Sequence, residues 1–334
     1  MSLSSLVSAL AVPGLLPVVL LTLGVIVVNG WTDAPNAIAT AVSTKALTFP
    51  AAAVLAAVCN LLGALLSTVF FPAVTRSVLD LAQFGGDRHA ALWALCAAMA
   101  SIVVWSTAAW YFGIPTSESH GLLAGLTGAA LALEGGSANV DLPAWSRVWV
   151  ALPLSVCLGY LLAKVLTQRP EHPRGPSFYL RAQRAGAAAM AFLHGAQDGQ
   201  KFLGVFLLGL SLSAGWDVPN GYAPLWLAAL CAGTIALGTA LGGQRIIDTV
   251  SRDMVVLDPR QGLTADLAGA SALLLCTLLG LPVSTTHTKT AAILGAGRHP
   301  DWSIARSIVL AWVLTFPACG LLSFLCTKIL LFFL

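Results

Sequence analysis

The chain has 334 residues, of which 57% are hydrophobic and only 9% are charged. Soluble domains carry roughly 25% charged residues, so this composition excludes an ordinary water-soluble protein and predicts one embedded in the lipid bilayer. A net charge of +3 without a basic stripe argues against nucleic acid as a partner. The seven cysteines stand singly in apolar runs, which predicts buried thiols rather than disulfides or a metal site.

A membrane-spanning helix needs about 20 predominantly apolar residues, and eight stretches of the chain meet this condition. They are 12–30, 50–72, 89–112, 146–167, 186–211, 223–243, 262–280 and 303–333. Three further apolar stretches are interrupted by Gly, Pro, Ser and Thr, at 31–47, 113–133 and 281–297. Irregular backbone is tolerated at membrane depth only where protein or a water-filled cavity satisfies it. We therefore predict an all-α polytopic membrane protein with broken helices and re-entrant hairpins.

The most polar stretch of the chain, 164–184, lies near its middle and carries five basic residues against one acid, Glu171. Cytoplasmic loops of membrane proteins are enriched in Lys and Arg, so this loop is predicted to be cytoplasmic. It divides the chain into an N-terminal membrane repeat (1–167), a cytoplasmic linker (168–185) and a C-terminal membrane repeat (186–334).

Two polar motifs occur once in each half. "NGWTDAPNAIA" aligns with "HGAQDGQKFLG" 165 residues later, which matches Asp33 with Asp198. "GIPTSESHG" aligns with "GLPVSTTHT" 167 residues later, which matches Ser117 with Ser284. Transporters are often built from such repeats, and their interrupted segments mark a substrate site near the bilayer midplane.

The paired aspartates, Asp33 and Asp198, are the first candidate site. A charged side chain at membrane depth is costly and usually marks an ion or proton pathway. Carboxylates with neighbouring oxygens suit hard cations, and Thr32, Asn36 and Gln197 can add such oxygens. A buried carboxyl can instead carry a proton, or each aspartate can simply cap a half-helix.

Hydroxyl side chains follow Pro115 and Pro282, where a new helix is predicted to begin. The free N–H groups and positive dipole of a helix N-terminus bind anions, and hydroxyls add donors without charge. Two such segments facing each other would suit a small tetrahedral oxyanion, although Ser and Thr are also common helix caps. The residues concerned are Ser117, Ser119, Ser284, Thr285 and Thr286.

Several ionisable residues flank these motifs. Glu118, His120 and His287 are candidates for proton coupling, since a histidine titrates near neutral pH. Lys201 is a candidate to balance the charge of a substrate, or to pair with Asp198 three residues earlier.

The sequence pattern assigns no chemical role to the other charged residues. Lys45 and Lys289 are predicted to extend toward the membrane interface. The segments 75–89 and 245–261 are predicted to be amphipathic surface pieces that join spans.

The motifs together resemble those of the inorganic phosphate transporter (PiT) family, over nearly the whole chain. That family carries a duplicated Gly-x-Asn-Asp-x-x-Asn signature, to which "NGWTDAPNAIATAVSTKAL" and "HGAQDGQKFLGVF" are similar. It also carries Pro-x-Ser-x-x-His segments, similar to "GIPTSESHGLLAGLTGAAL" and "GLPVSTTHTKTAAILGAG".

The resemblance implies two inverted-topology repeats and a homodimer in the plasma membrane. It also implies Asp33, Asn36 and Asp198 as cation ligands, and the Ser and Thr residues named above as the phosphate site. This chain departs from the signature, because Thr32 and Gln197 stand in place of the Asn before each Asp. Lys201 replaces the last Asn of the second copy.

We therefore predict a secondary active transporter that imports inorganic phosphate, coupled to H⁺ or Na⁺. A sulfate permease on the same scaffold is the main alternative, and a passive channel is another. The chain contains no Gly-x-Ser-x-Gly, HExxH or Walker A motif, so we predict that it is not an enzyme and needs no cofactor beyond the coupling ion.

Overall fold

The computed structural model describes residues 10–70, 73–81, 84, 87–114, 116–169, 174–214, 223–241, 243–250 and 254–334. These residues form thirteen α-helices and one 3₁₀ turn at Gly136–Asn139, and no strand is found among them. The helices are α1 (Leu15–Thr32), α2 (Pro35–Ser43), α3 (Phe49–Phe70), α4 (Ala73–Leu81), α5 (Arg88–Tyr111), α6 (Glu118–Ala132), α7 (Leu142–Thr167), α8 (Pro176–Ala214), α9 (Leu225–Leu241), α10 (Gln244–Asp248), α11 (Pro259–Leu278), α12 (Thr285–Ala296) and α13 (Trp302–Phe333).

Every predicted span coincides with a helix, which confirms the all-α polytopic fold. Six segments are long and apolar enough to cross a membrane, namely Leu15–Ser43, which joins α1 to α2, and helices α3, α5, α7, α11 and α13. The predicted span 223–243 corresponds to α9, which is apolar but only 17 residues long. The predicted span 186–211 lies inside α8, a helix of 39 residues that also includes the last part of the predicted linker.

The outer faces of the spanning helices are apolar, as a lipid environment requires. Val54 on α3, Leu161 on α7 and Val313 on α13 are all exposed in the isolated chain. All seven cysteines are free thiols, and four of them are buried as expected. The prediction of burial is wrong for Cys157, which is exposed on α7, because a lipid-facing helix surface accepts an apolar thiol.

The first signature copy breaks its helix, and the second does not. Helix α1 ends at Thr32, with Asp33 as its C-cap, and α2 begins at Pro35. Proline lacks an N–H and is favoured at the first position of a helix, so Pro35 favours a new start there. The second copy has Gln200 at the matched position, and α8 continues through it without a break.

The two halves interlock through equivalent contacts. The short helix of the first half, α6, packs on the last helix of the second half, α13. In the matching arrangement, α12 of the second half packs on α7, the last helix of the first. Likewise α1 packs on α9, and α8 packs on α3. Each half therefore completes the surroundings of the motifs carried by the other half.

The turns before α6 and α12 are held by hydroxyls from the opposite half. Gly113 and Gly280 occupy matched positions and adopt left-handed φ angles of 69° and 66°, which glycine tolerates best. The carbonyl of Gly113 accepts a hydrogen bond from Thr249 Oγ1 at 2.8 Å, and that of Gly280 accepts one from Ser77 Oγ at 3.0 Å.

The segments that supply these hydroxyls were predicted to be amphipathic surface pieces without a chemical role. The first forms the amphipathic helix α4, with Arg76 exposed and Asp80 partly exposed, but the contacts of both segments with the opposite half were not predicted. Val78 on the first segment and Ile246 and Met254 on the second are fully or almost fully buried. An amphipathic segment between spans can bury its apolar side against the other half, which sequence periodicity alone does not reveal.

Signature glycines allow two close helix crossings. A Cβ placed on Gly195 would lie 2.2 Å from the carbonyl oxygen of Asn60 on α3. A Cβ on the matched Gly30 would lie 2.6 Å from the carbonyl oxygen of Ile235 on α9. Both positions therefore need glycine for the close approach of two backbones, and the crossings fix the signature segments against the neighbouring helices.

We expect Gly195→Ala to destabilise the protein, because the backbone of α3 cannot move away as a flexible side chain could. Overpacking of this kind costs typically about 1–3 kcal/mol. Gly233→Ala is the matched control, since a Cβ there meets nothing within 4 Å and alanine favours the helix by about 1 kcal/mol. Thermal unfolding of purified protein in detergent measures both, and an unfolding midpoint equal to wild type in Gly195→Ala would contradict the crossing.

Candidate functional site

Two capped helix N-termini meet at the centre of the protein. Ser117 is the N-cap of α6 and accepts a hydrogen bond from the His120 N–H at 3.3 Å. Ser284 is the N-cap of α12 and accepts one from the His287 N–H at 3.2 Å. The two serine Oγ atoms lie 2.8 Å apart and are hydrogen-bonded to each other. The preceding Pro115 lies outside the described residues.

This contact brings the predicted anion-binding groups of both halves together. Ser119, Thr285 and Thr286 occupy the first turns of the same two helices and are all buried. Thr285 Oγ1 has no hydrogen-bond partner among the described residues. Two helix N-termini with their positive dipole ends converging on one point favour a negatively charged group there.

Lys201 joins the second signature to both short-helix segments. Its Nζ lies 2.7 Å from Asp198 Oδ1, 2.6 Å from Ser119 Oγ and 2.6 Å from the carbonyl oxygen of Val283. The side chain is only 3% exposed. Lys201 therefore forms the predicted pair with Asp198, and it places a positive charge beside the serine contact.

The second oxygen of Asp198 is held by residues from both halves. Asn29 Nδ2 donates a hydrogen bond to Asp198 Oδ2 at 2.9 Å, and His194 Nε2 lies 3.3 Å from the same oxygen. His194 Nδ1 is 3.1 Å from Asn60 Oδ1 on α3. Asn29 and His194 occupy matched positions of the two signature copies, and both converge on one carboxylate.

Asp33 is less fully satisfied than its counterpart. Asn36 Nδ2 donates to the Asp33 backbone carbonyl at 3.0 Å and to Thr286 Oγ1 at 3.1 Å. Asp33 Oδ2 has no hydrogen-bond donor among the described residues. Ligand atoms of Asp33, His194 and Asp198 all lie within 4.8 Å of one another, so these groups can act on one ion.

The remaining polar signature residues lie around the same centre. Thr32 Oγ1 is 3.2 Å from Glu118 Oε1 and 2.7 Å from the carbonyl oxygen of Val28. Gln197 Nε2 donates to Thr277 Oγ1 at 2.9 Å. Thr32 therefore connects the first signature to the first short helix, and Gln197 connects the second signature to α11.

Several buried oxygens accept no hydrogen bond from the described residues, and they come from both signatures and from the first short helix. A set of carboxylate and amide oxygens without donors suits a hard cation, which takes oxygen ligands. Of the predicted cation ligands, Asp33, Asn36 and Gln197 therefore have an oxygen free to bind a hard cation, with Asn29 and Glu118 as additions. The oxygens are Asn29 Oδ1, Asp33 Oδ2, Asn36 Oδ1, Glu118 Oε2 and Gln197 Oε1.

The two motif histidines lie in an aromatic cluster. The rings of His120 and His287 are perpendicular, with centroids 4.1 Å apart. His287 stacks on Trp312 at 3.7 Å, and His120 packs against Phe316 at 4.4 Å. Trp312 and Phe316 both belong to α13, so the last helix of the chain closes the back of the site.

Lys289 does not extend to an interface, which corrects the sequence-based interpretation. It is fully buried and forms an ion pair with Asp266 on α11. Thr40 Oγ1 donates to Asp266 Oδ1 at 2.6 Å and lies 3.2 Å from Lys289 Nζ. A buried carboxylate stabilises a charged lysine inside the protein at this depth. Lys45, by contrast, is exposed as expected.

The sequence motifs predicted which segments meet at the site, but four residues in and around those segments were not predicted. Asn29 and His194 could have been found, because they open the two aligned signature copies. Asp266 and Thr40 could not be found in this way. The matched partners of Asp266 and Lys289 in the first half are Met99 and Leu122, so the repeat gives no signal for this ion pair.

Comparisons with known proteins agree with the architecture. A family model for the phosphate transporter family matches residues 29–169 and 164–323. A probable low-affinity inorganic phosphate transporter of Bacillus subtilis (strain 168) is 34% identical over 302 residues, covering 87% of this chain and 89% of the relative. A relative of the same description from Rhizobium meliloti (strain 1021) is 35% identical over 334 residues, covering 96% and 97%.

A solved structure described as the sodium-dependent phosphate transporter has the same fold. Its TM-score is 0.85, and the match covers 96% of this chain and 100% of the other at 21% identity. The sequence relatives are named as transporters or permeases, which confirms the prediction that the chain is not an enzyme.

We expect Asp266→Asn to destabilise the protein, because it leaves the Lys289 ammonium buried without its counter-charge. Breaking a buried pair in this way costs about 3–5 kcal/mol. The double variant Asp266→Met with Lys289→Leu recreates the apolar pair of the first half and should recover most of the loss. Thermal unfolding in detergent compares them, and a double variant less stable than Asp266→Asn would refute this interpretation.

Proposed function

The chain belongs to the phosphate transporter family, and on that premise we propose that it imports inorganic phosphate as a secondary active transporter driven by H⁺ or Na⁺. The observation that carries this proposal is the contact between the two capped helix N-termini at Ser117 and Ser284. Signature residues from both halves surround that contact. Anion-binding and cation-binding groups therefore lie side by side in one buried site.

Phosphate would bind between the two short helices. Their free N–H groups and the hydroxyls of both first turns supply donors, and Lys201 adds positive charge. The serine-to-serine hydrogen bond of 2.8 Å would open to admit the ion, with each hydroxyl turning from its neighbour to a phosphate oxygen. The proposed phosphate-binding residues are Ser117, Ser119, Ser284, Thr285 and Thr286, and Lys201 lies beside them as the charge that balances the substrate.

The unpaired acceptor oxygens favour phosphate over sulfate. Phosphate at neutral pH carries at least one hydroxyl and must donate a hydrogen bond, whereas sulfate carries none. Asp33 Oδ2 and Glu118 Oε2 are buried acceptors without donors among the described residues. A phosphate hydroxyl could donate to whichever of these acceptors the coupling cation leaves free, whereas sulfate could donate to neither. The relatives do not favour a sulfate permease either.

The coupling cation would bind beside phosphate, on the signature residues. Asp33, Asn36 and Asp198 supply the main ligands, with Thr32 and Gln197 as neighbours. Na⁺ would use the unpaired oxygens directly. A proton would instead reside on a carboxyl or a ring nitrogen, for which Glu118, His120 and His287 are the candidates.

Transport would follow from movement of one half against the other. The equivalent contacts of the two halves support the proposal of two inverted-topology repeats that expose the site alternately. We further propose a homodimer in the plasma membrane. In this arrangement the 164–184 loop is cytoplasmic, and residues 168–185 link the membrane repeats 1–167 and 186–334.

Uptake into proteoliposomes tests the proposal. Radiolabelled phosphate should accumulate above equilibrium when a pH or Na⁺ gradient is imposed, which a passive channel cannot achieve. Radiolabelled sulfate should neither accumulate nor compete. Varying the pH and Na⁺ gradients independently identifies the coupling ion, and sulfate uptake without phosphate competition would overturn the proposal.

We expect Asp33→Asn and Asp198→Asn to lower concentrative phosphate uptake at least about tenfold, because each removes a charge worth more than 1.4 kcal/mol to a bound cation. Asp80→Asn is the control, since Asp80 is partly exposed and pairs with Arg76 at 3.9 Å. Expression and monodispersity should stay near wild type in Asp33→Asn and Asp80→Asn. Asp198→Asn also leaves the Lys201 ammonium buried without its counter-charge, so uptake is compared per amount of folded protein. Wild-type uptake in both site variants would remove the cation assignment.

We expect Ser117→Ala and Ser284→Ala each to weaken the apparent affinity for phosphate roughly 2- to 10-fold, since a hydrogen bond contributes about 0.5–1.5 kcal/mol. Initial uptake rates over a range of phosphate concentrations measure this. Ser307→Ala, which removes an exposed hydroxyl bonded to its own helix, should leave the affinity unchanged. Unaltered affinity in both cap variants would count against the site.

A further inference from the structure

The two signature copies differ in charge at one matched position. Asn36 lies three residues after Asp33, and Lys201 lies three residues after Asp198. In the first copy, Asp33 Oδ2 and Asn36 Oδ1 accept no hydrogen bond from the described residues. In the second copy, both oxygens of Asp198 have partners. The carboxylate of the first copy therefore offers a free oxygen to a cation, and the carboxylate of the second copy does not.

The Lys201 ammonium has surroundings of the kind that a bound cation would have. It is enclosed by a carboxylate oxygen at 2.7 Å, a hydroxyl oxygen at 2.6 Å and a backbone carbonyl oxygen at 2.6 Å. The three ligands come from the second signature, the first short helix and the segment before the second short helix. Carboxylates and carbonyls of interrupted helices are the groups that hold coupling ions in transporters.

The same geometry limits direct binding of phosphate by this lysine. An ammonium has three N–H donors and no acceptor, and protein oxygens occupy three positions around Lys201. Nearly complete burial, at 3% exposure, leaves no solvent to compensate for a lost partner. Lys201 could bind phosphate directly only by giving up one of these three oxygens.

We propose that Lys201 is a resident cation, which permanently fills the cation position of the second signature. The inference rests on the proposed function, and it gives the two aspartates different roles. Asp198 is neutralised by a charge that is covalently attached and never leaves the protein. Asp33, with Asn36, is the carboxylate that takes up and releases the exchangeable ion. The transporter therefore carries one cation fewer per phosphate than a chain with two free signature sites.

Lys201→Asn tests this inference, because it recreates the Asp-x-x-Asn arrangement of the first signature. Equilibrium binding of radioactive sodium to purified protein is the measurement. We expect the variant to bind one more sodium ion per chain than wild type, whether wild type binds any or none. Adding Asp198→Asn to this variant should abolish the extra ion. Lys45→Asn makes the same change at an exposed lysine and should add no ion.

A sodium count equal to wild type in folded Lys201→Asn would overturn the inference. If that variant elutes as aggregate, Asn36→Lys provides the test. This change would place an ammonium in the cation position of the first signature, beside Asp33, as Lys201 does in the second. Phosphate uptake by Asn36→Lys should then no longer respond to an imposed cation gradient, and a normal response would also overturn the inference. A wild-type chain that carried no phosphate would instead overturn the proposed function, while the sodium count would still decide the role of Lys201.

Discussion

Two helix N-termini meet head to head, which places the positive ends of two helix dipoles at one point. The charged residues of the site lie around that point. Each N-terminus carries about half a positive charge, and the caps Ser117 and Ser284 bring them into direct contact. The three buried carboxyls nearby, on Asp33, Glu118 and Asp198, repel one another in turn. In the proposed function, an anion would stabilise the helix ends and a cation would stabilise the carboxyls, so each would make binding of the other more favourable. Anion binding and cation binding would then be coupled directly by the electrostatics of one site, without a conformational change transmitted between distant sites.

The two halves of the chain make equivalent helix contacts, but they carry different side chains at matched positions of the motifs. Helix contacts of one half recur in the other, yet Asn36 matches Lys201 and Glu118 matches Thr285. The second signature carries the Lys201 ammonium where the first carries the neutral amide of Asn36. Under the proposed role of Lys201, this asymmetry would give the two signatures separate tasks.

Much of the fold was predictable because membrane spans are marked by long apolar runs. The break at Pro35 was predictable from the chemistry of proline, and Ser117 and Ser284 were predictable from the duplication. The ion pair of Asp266 and Lys289 was not, since a charged residue within an apolar run shows no sign of its partner on another helix. Contacts between halves, such as Asn29 with Asp198, depend on tertiary packing that local patterns do not encode.

The interlocked packing of the halves also determines when the site can form during synthesis. The first short helix, α6, packs on α13, the last helix of the chain. The ribosome therefore produces α6 about 170 residues before its packing partner, at ~5–20 residues per second. During that interval of roughly ten seconds or more, α6 contacts α5, and Glu118 contacts Thr32, but the partners from the second half, Lys201 and Ser284, follow later. Water or the insertion machinery must satisfy Ser117 and Ser119 until those partners enter the membrane.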